Sequence, residues 1–343
     1  GLDGVLSSRK NTLCGILNGI DYSEWNPGKG NGLFPDYGSD RLDAKAEAKK
    51  ILMEKLGIRG PESAPLLGAV TRLDPQKGCD ILLRAIFRLL PKTDAQFALL
   101  GTGSRELEAA FGNLARQFSG RVGLALKFDP GLAKLIYAGS DFFLMPSKYE
   151  PCGLGQMIAM AYGTVPVVRL TGGLADTVRP FDEKNLEGNG FGFSSYTSEA
   201  MNGTIQKAFQ VFRNSQMFSA VRNNAMKERF TWENAARSYL DQYARSIQIR
   251  QKGGDETMAV KMAVRKAAEK QEPVSLIYEI GEQAGKVYQY LSKRDSAESL
   301  AQIAKGSGLD SSMSDLAVGW LARENNVVVE RDGKKIQVRL INR

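Results

Sequence analysis

Three loops in this chain carry the residue types and spacings from which chemistry could be built. Arg72 and Lys77 stand five residues apart in R-L-D-P-Q-K-G, Glu150 opens E-P-C-G-L, and T-G-G-L-A-D-T contains Thr171, Gly172 and Gly173. Two cations at a strand exit beside a helix start would bind a diphosphate and stabilise it as a leaving group. The same pair on a surface loop would simply be solvated. Pro151 holds the residue before it extended, which aims the Glu150 carboxylate along one direction. An isolated glutamate is otherwise a surface group. Cys152, Gly153 and Leu154 would line that loop with backbone N–H groups, and a helix starting at Leu154 or Gly155 would turn its free N–H groups toward a diphosphate. Cys152 has no visible base partner, which argues against a nucleophile. Thr171 adds a hydroxyl donor, and Asp176 reads as a helix-start residue.

The elements that must position these loops follow from the apolar pattern. DFFLMPS is a short apolar run suited to a strand buried on both faces, LGQMIAMAYG has helical spacing and stops at Gly163, and VPVVRL is a second buried strand. Two strand ends thus deliver two polar, glycine-bearing loops side by side, the place where open parallel sheets bind ligands. Upstream, DAKAEAKKILMEKLG reads as a helix. LLGAVT, AQFALLG and VGLALK read as strands alternating with the helices GCDILLRAIFRLL, SRELEAAFGNLARQF and GLAKLIYAG. Short connections in a βαβα order predict a Rossmann-like, doubly wound parallel sheet. Gly101 and Gly103 form a G-T-G that is a weak signal and reads as a tight turn. Phe128, after the third strand, reads by itself as a core residue. After the sheet, Phe191–Thr197 reads as a loop or short strand, followed by three helices. The last helix has Ala235, Tyr239, Leu240 and Tyr243 spaced for one face. Near the start, CGIL reads as strand-like and the run onward to Asp40, rich in Gly and Pro, as irregular.

Composition narrows the chemistry. Among 343 residues there is no histidine, which removes Ser–His and Cys–His machinery and most zinc sites. Carboxylates, Lys, Arg and backbone dipoles are left to act, and no metal is expected. The net charge of +8 is spread along the chain and reads mostly as solubilising. Three scattered cysteines, Cys14, Cys79 and Cys152, without C-x-x-C spacing, read as reduced thiols of a cytoplasmic protein. No apolar run is long enough to span a bilayer, and the first residues lack a signal-peptide layout.

EPCGLGQ and TGGLADTV at this interval, preceded by GLDGVL and GILNGIDYSEWNP, resemble the donor-binding lobe of bacterial glycogen synthases and plant starch synthases. These are retaining glucosyltransferases of the GT-B type, with two facing Rossmann-like lobes. The resemblance implies transfer of glucose from ADP-glucose to the non-reducing end of an α-1,4-glucan, with no cofactor beyond the donor substrate. It puts Arg72 and Lys77 on the diphosphate and Glu150 on the hydroxyls of the donor glucose. Cys152, Gly153, Leu154, Thr171, Gly172 and Gly173 would lie beside the sugar and phosphates, with Phe128 against the adenine. Asn18, by itself a turn residue, would face the sugar from the crossover between lobes. The resemblance assigns no role to Lys134, which stands where related sequences usually carry a histidine. It leaves ADP-glucose versus UDP-glucose open. The family's first lobe, with its K-x-G-G loop and acceptor surface, is not in this sequence. The expectation is therefore a fragment, or a subunit completed by that lobe in cis or in trans. A rival is a non-catalytic nucleotide-sugar-binding or regulatory module.

The organisation expected is a nucleotide-sugar-binding lobe over 1–249, a linker over 250–272 and a small α+β domain over 273–343. The linker lacks large aliphatics and aromatics and reads as a tether. In the last part EIGEQAGKVYQYLSKR, AESLAQIAKGSG and SSMSDLAVGWLAREN are helices, the third with Met313, Leu316, Ala317, Trp320 and Leu321 inward. NVVVERDGKKIQVRLI is a hairpin turning at Asp332–Gly333. Three helices and a hairpin make a winged helix, and the segment resembles a small bacterial winged-helix family of unknown function. Ten Lys/Arg against nine Asp/Glu from Pro273 onward do not make a basic footprint, so a protein-binding or regulatory role is expected rather than DNA binding.

Overall fold

In a computed structural model of the chain, the residues described are 3–28, 32–39, 41–252, 273–294, 296–324, 326–332 and 335–341. The chain divides into two compact units, Gly1–Ala244 and Arg245–Arg343. Most of the linker read over 250–272, from residue 253 on, lies outside the described residues, as does Gly333 of the hairpin turn.

The first unit is built on six parallel strands, β1 (Leu66–Val70), β2 (Gln96–Leu100), β3 (Val122–Ala125), β4 (Phe142–Met145), β5 (Val165–Arg169) and β6 (Phe191–Phe193). Their order is β3-β2-β1-β4-β5-β6. This is the doubly wound arrangement expected, and its reversal point lies between β1 and β4. The strands are short and almost wholly buried, because helices cover both faces and leave no solvated side on which polar residues could alternate.

The covering helices follow the sequence reading. They are α2 (Asp43–Lys55), α3 (Cys79–Leu89), α4 (Arg105–Gln117), α5 (Pro130–Gly139), α6 (Gly155–Ala161), α7 (Gly173–Thr177), α8 (Ser198–Arg213) and α9 (Ser215–Lys227), after a short α1 (Asp3–Ser8); a largely exposed α10 (Trp232–Lys252) follows them. Local chemistry sets their ends. Ser104, Asp129, Thr197 and Asn214 accept N-cap hydrogen bonds from the backbone, and Gly163 leaves α6 in the left-handed conformation. One core layer joins Phe97, Phe111, Phe142 and Phe209; the other joins Leu52, Leu66, Phe143 and Tyr162.

Two sequence expectations are corrected here. Cys14–Leu17 forms no strand, because no neighbouring strand offers it a ladder; the segment instead docks at Ile20, whose N–H donates to the Phe230 carbonyl at 2.8 Å. Phe128 is 90% exposed, so the core alternative falls. On α10, of the residues spaced for one face, Ala235 is buried, while Tyr239, Leu240 and Tyr243 are exposed.

The second unit contains α11 (Pro273–Leu291), α12 (Leu300–Ser307) and α13 (Ser311–Arg323). Its sheet has β7 (Glu298–Ser299) pairing β9 (Lys335–Leu340), which pairs β8 (Val327–Asp332), all antiparallel. This is the winged helix expected, with β7 as a third strand too short to read from sequence. Its core holds Val287, Leu291, Ile303, Ala317, Leu321 and Val338. Leu316 is a correction: it is exposed, and Val318 takes the inward place. No helix among the described residues is long and apolar enough to cross a membrane.

Candidate functional site

The loop after β1 is set by backbone contacts that only glycine permits. A Cβ on Gly101 would lie 1.9 Å from the Thr71 carbonyl oxygen, and one on Gly103 would lie 2.0 Å from that of Leu73. G-T-G thus brings the β2 exit flush against R-L-D, and the Leu73 N–H donates to the Thr102 carbonyl at 2.8 Å. Asp74 then caps a 3-10 turn, Pro75–Lys77, through the Gln76 N–H. Gly78 ends the turn at φ 71°, its Cα packed where a Cβ would meet the Pro146 carbonyl. The turn delivers Lys77 to the neighbouring exit, that of β4.

There the Lys77 Nζ lies 2.6 Å from Glu150 Oε2, with the glutamate side chain only 8% exposed. The Ser147 hydroxyl donates to the same oxygen at 3.1 Å. The surface alternative for Glu150 is therefore wrong: its carboxylate is buried, and the Lys77 ammonium and the Ser147 hydroxyl satisfy it there. The two loops are also tied through their backbones, since the Lys148 N–H donates to the Gln76 carbonyl at 2.7 Å.

The β5 exit closes on the same loop. The Gly173 N–H donates to the Glu150 carbonyl at 3.0 Å. Cβ atoms on Gly172 and Gly173 would strike the Glu150 and Cys152 carbonyls at 2.2 and 2.1 Å. Gly153, at φ 75°, makes the turn into α6. The Asn18 N–H donates to Cys152 Sγ at 3.4 Å, so the crossover segment reaches this loop as well. Burial pushes the Cys152 thiol above its ordinary value, with the Glu150 charge adding to the shift. It is therefore a poor nucleophile, in line with the sequence reading.

Arg72, Leu154 and Phe128 stand apart from this network. Arg72 is largely exposed, with Nε 4.0 Å from Asp74 and an Nη 3.4 Å from Gln76 Oε1. Leu154 and Phe128 present exposed side chains, and Thr171 is half-buried. Lys134 has a partner after all: it is buried on α5 and meets Glu24 at 2.6 Å, above the Trp25 ring.

Four residues that hold the site were not singled out from sequence. The side-chain amide of buried Gln156 donates to the Gly153 carbonyl at 2.9 Å and to the Thr177 hydroxyl at 3.0 Å, with the Cys152 carbonyl 3.2 Å away. Arg169 on β5 donates to the Lys148 carbonyl at 2.6 Å, and the Ser147 hydroxyl donates to Glu150. The Tyr196 hydroxyl donates to Asp80 at 2.6 Å and lies 3.2 Å from the Pro75 carbonyl; burial, then the Asp80 bond, raises its pKa well above the ordinary value. Only Gln156 left a signal, as a polar residue on an otherwise apolar helix. No group of three or more metal-ligating side chains exists among the described residues.

Comparison with known proteins bears on this geometry. Residues 52–225 match the family described as glycosyl transferases group 1, and residues 276–340 match one described as a winged helix-turn-helix domain (DUF2582). The glycogen synthase of Thermosipho melanesiensis is 44% identical over 250 residues, covering 73% of this chain and 52% of that protein. That of Thermotoga maritima is 43% identical over 247 residues, covering 72% and 51%. Among solved structures, the catalytic domain of starch synthase IV from Arabidopsis thaliana, bound to ADP and acarbose, matches with a TM-score of 0.66 and 36% identity. It covers 72% of this chain and 52% of that one. The chain spans about half the length of the curated relatives it matches.

Proposed function

The chain belongs to the group 1 glycosyl transferases, and we propose that its first unit is the donor-binding lobe of a glycogen/starch synthase. The reaction proposed is transfer of glucose from ADP-glucose to the non-reducing end of an α-1,4-glucan, with retention, when a facing first lobe completes the cleft. The observation that carries this reading is the Lys77–Glu150 pair at the reversal point of the sheet.

The roles follow from the chemistry of each group. A lysine ammonium has three N–H donors; Glu150 takes one, which leaves two for diphosphate oxygens. Holding the cation in place beforehand lets it meet charge on the departing diphosphate without reorganisation. Exposed Arg72 adds a second, forked donor from the same loop. The free oxygen of Glu150 and the backbone of the 150–154 and 171–173 loops orient the sugar hydroxyls. Phe128 offers an open face on which a nucleobase stacks. The residues described supply no covalent nucleophile, so glucose is held for attack by the acceptor hydroxyl in a cleft from which the facing lobe excludes water. In the second unit, the near balance of charge and the exposed Tyr288, Leu316 and Val329 support a protein partner rather than DNA.

The test is calorimetric titration of the chain with ADP and ADP-glucose, together with a radiolabelled ADP-glucose assay on maltooligosaccharide with and without an added first lobe. Binding, with elongation only when the lobe is supplied, is expected. Failure to bind ADP overturns the reading. Binding that never yields elongation favours a non-catalytic module.

A further inference from the structure

At the amino edge of the sheet, opposite the Lys77–Glu150 pair, lies a cavity of about 230 Å³ between α2, α8, α9 and the start of β4. Its charged lining is unequal. Lys49 is paired with Asp141 at 2.7 Å, and Glu62 lies 3.5 Å from Lys50. The other two cations, Lys45 and Arg222, meet no carboxylate at ion-pair distance among the described residues. Lys45 spends its donors on the Tyr137 and Ala138 carbonyls and the Thr164 hydroxyl. The Arg222 guanidinium lies over the Phe218 ring at 5.4 Å, and its Nε is buried without a hydrogen-bond partner.

Lys45 is buried and Arg222 half-buried with its Nε shut from water; a cation so placed without a counter-charge is costly, and a buried donor left unpaired adds to that cost. Burial holds Arg222 below its ordinary pKa. It holds Lys45 well below, with the charges of Arg222 and Lys49 pressing the same way against Asp141. We propose that this cavity is a binding site for a small anion, a phosphate or a short carboxylate, gripped by Arg222 between the Phe212 and Phe218 rings. The volume is below the range of about 300–1,000 Å³ typical of drug-sized ligands, so a nucleotide is too large. Asp141 does not repel such an anion outright, because it is engaged by Lys49 and by the Leu66 N–H at 2.8 Å.

The test uses the full chain in an Arg72→Gln/Lys77→Gln background, which removes the cations proposed for diphosphate. Inorganic phosphate and propionate are titrated calorimetrically in low-salt buffer. One saturable site per chain is expected, weakened at least tenfold by Arg222→Gln. Ala46→Trp, at an exposed position on the cavity rim, is expected to weaken it equally and carries the test if Arg222→Gln does not fold. Saturable binding of phosphate alone assigns the site to phosphates, and of propionate alone to carboxylates. No saturable binding of either probe, or a loss of less than tenfold in the folded variants, overturns the proposal.

Discussion

Lys77 and Glu150, 73 residues apart in sequence, are joined at 2.6 Å, and their bond fastens the exit of β1 to the exit of β4. The glutamate is the more buried partner, so the pair is asymmetric: losing the lysine strands a desolvated carboxylate, while losing the glutamate frees a cation that reaches water.

Lys77→Met is expected to cost about 1–3 kcal/mol of stability. The Lys77→Met/Glu150→Gln double variant recovers part of that loss, with a coupling of about 0.5–3 kcal/mol. Urea unfolding of the four proteins of the cycle measures it. Strictly additive losses would show that the two side chains do not support one another.

On ligand binding, Lys77→Met is expected to weaken ADP about ten- to a hundredfold, the loss of a charge-assisted hydrogen bond of about 1.5–3 kcal/mol. Phe128→Ala should leave the unfolding midpoint unchanged, since the ring is 90% exposed. It should still weaken ADP by the loss of about 1–3 kcal/mol of base stacking. Calorimetry beside thermal melting separates the two variants; a destabilised Phe128→Ala with intact ADP affinity would contradict the assignment.

Gly172 and Gly57 both have positive φ, 48° and 67°, but differ in surroundings. A Cβ on Gly57 meets nothing within 4 Å, whereas one on Gly172 meets the Glu150 carbonyl at 2.2 Å. Gly57→Ala should therefore cost only the backbone penalty, about 1–2 kcal/mol. Gly172→Ala should cost about 3 kcal/mol or more and abolish ADP binding, because the Glu150 loop must move. Equal losses in chemical denaturation would rule out the close packing of these loops.

Burial pushes the Cys79 thiol up from 9.0 to about 11. Above pH 9 the unfolded chain loses this proton while the folded chain keeps it, so stability falls between about pH 9 and pH 11. Cys79→Ala should flatten the decline of the urea midpoint between pH 8 and pH 10.5, at some cost in stability at pH 8. An unchanged slope would show that Cys79 is not its source.

The sequence by itself determined the first unit's elements and which loops share an edge. Short runs such as DFFLM and VPVVR have no polar face to leave in water, so they had to be covered on both sides, and parallel strands present all their carboxyl ends together. The loops bearing Arg72, Lys77, Glu150 and Gly172 were legible for that reason. What only the tertiary structure decided was which residues meet. β1 and β4 become neighbours through the order of the sheet, a long-range choice with no trace in local periodicity, and that adjacency gives Glu150 its lysine. The same limit explains Phe128, Lys134 and Leu316. Spacing along a helix or loop tells which residues share a face, while the elements packed around that face decide whether it is buried.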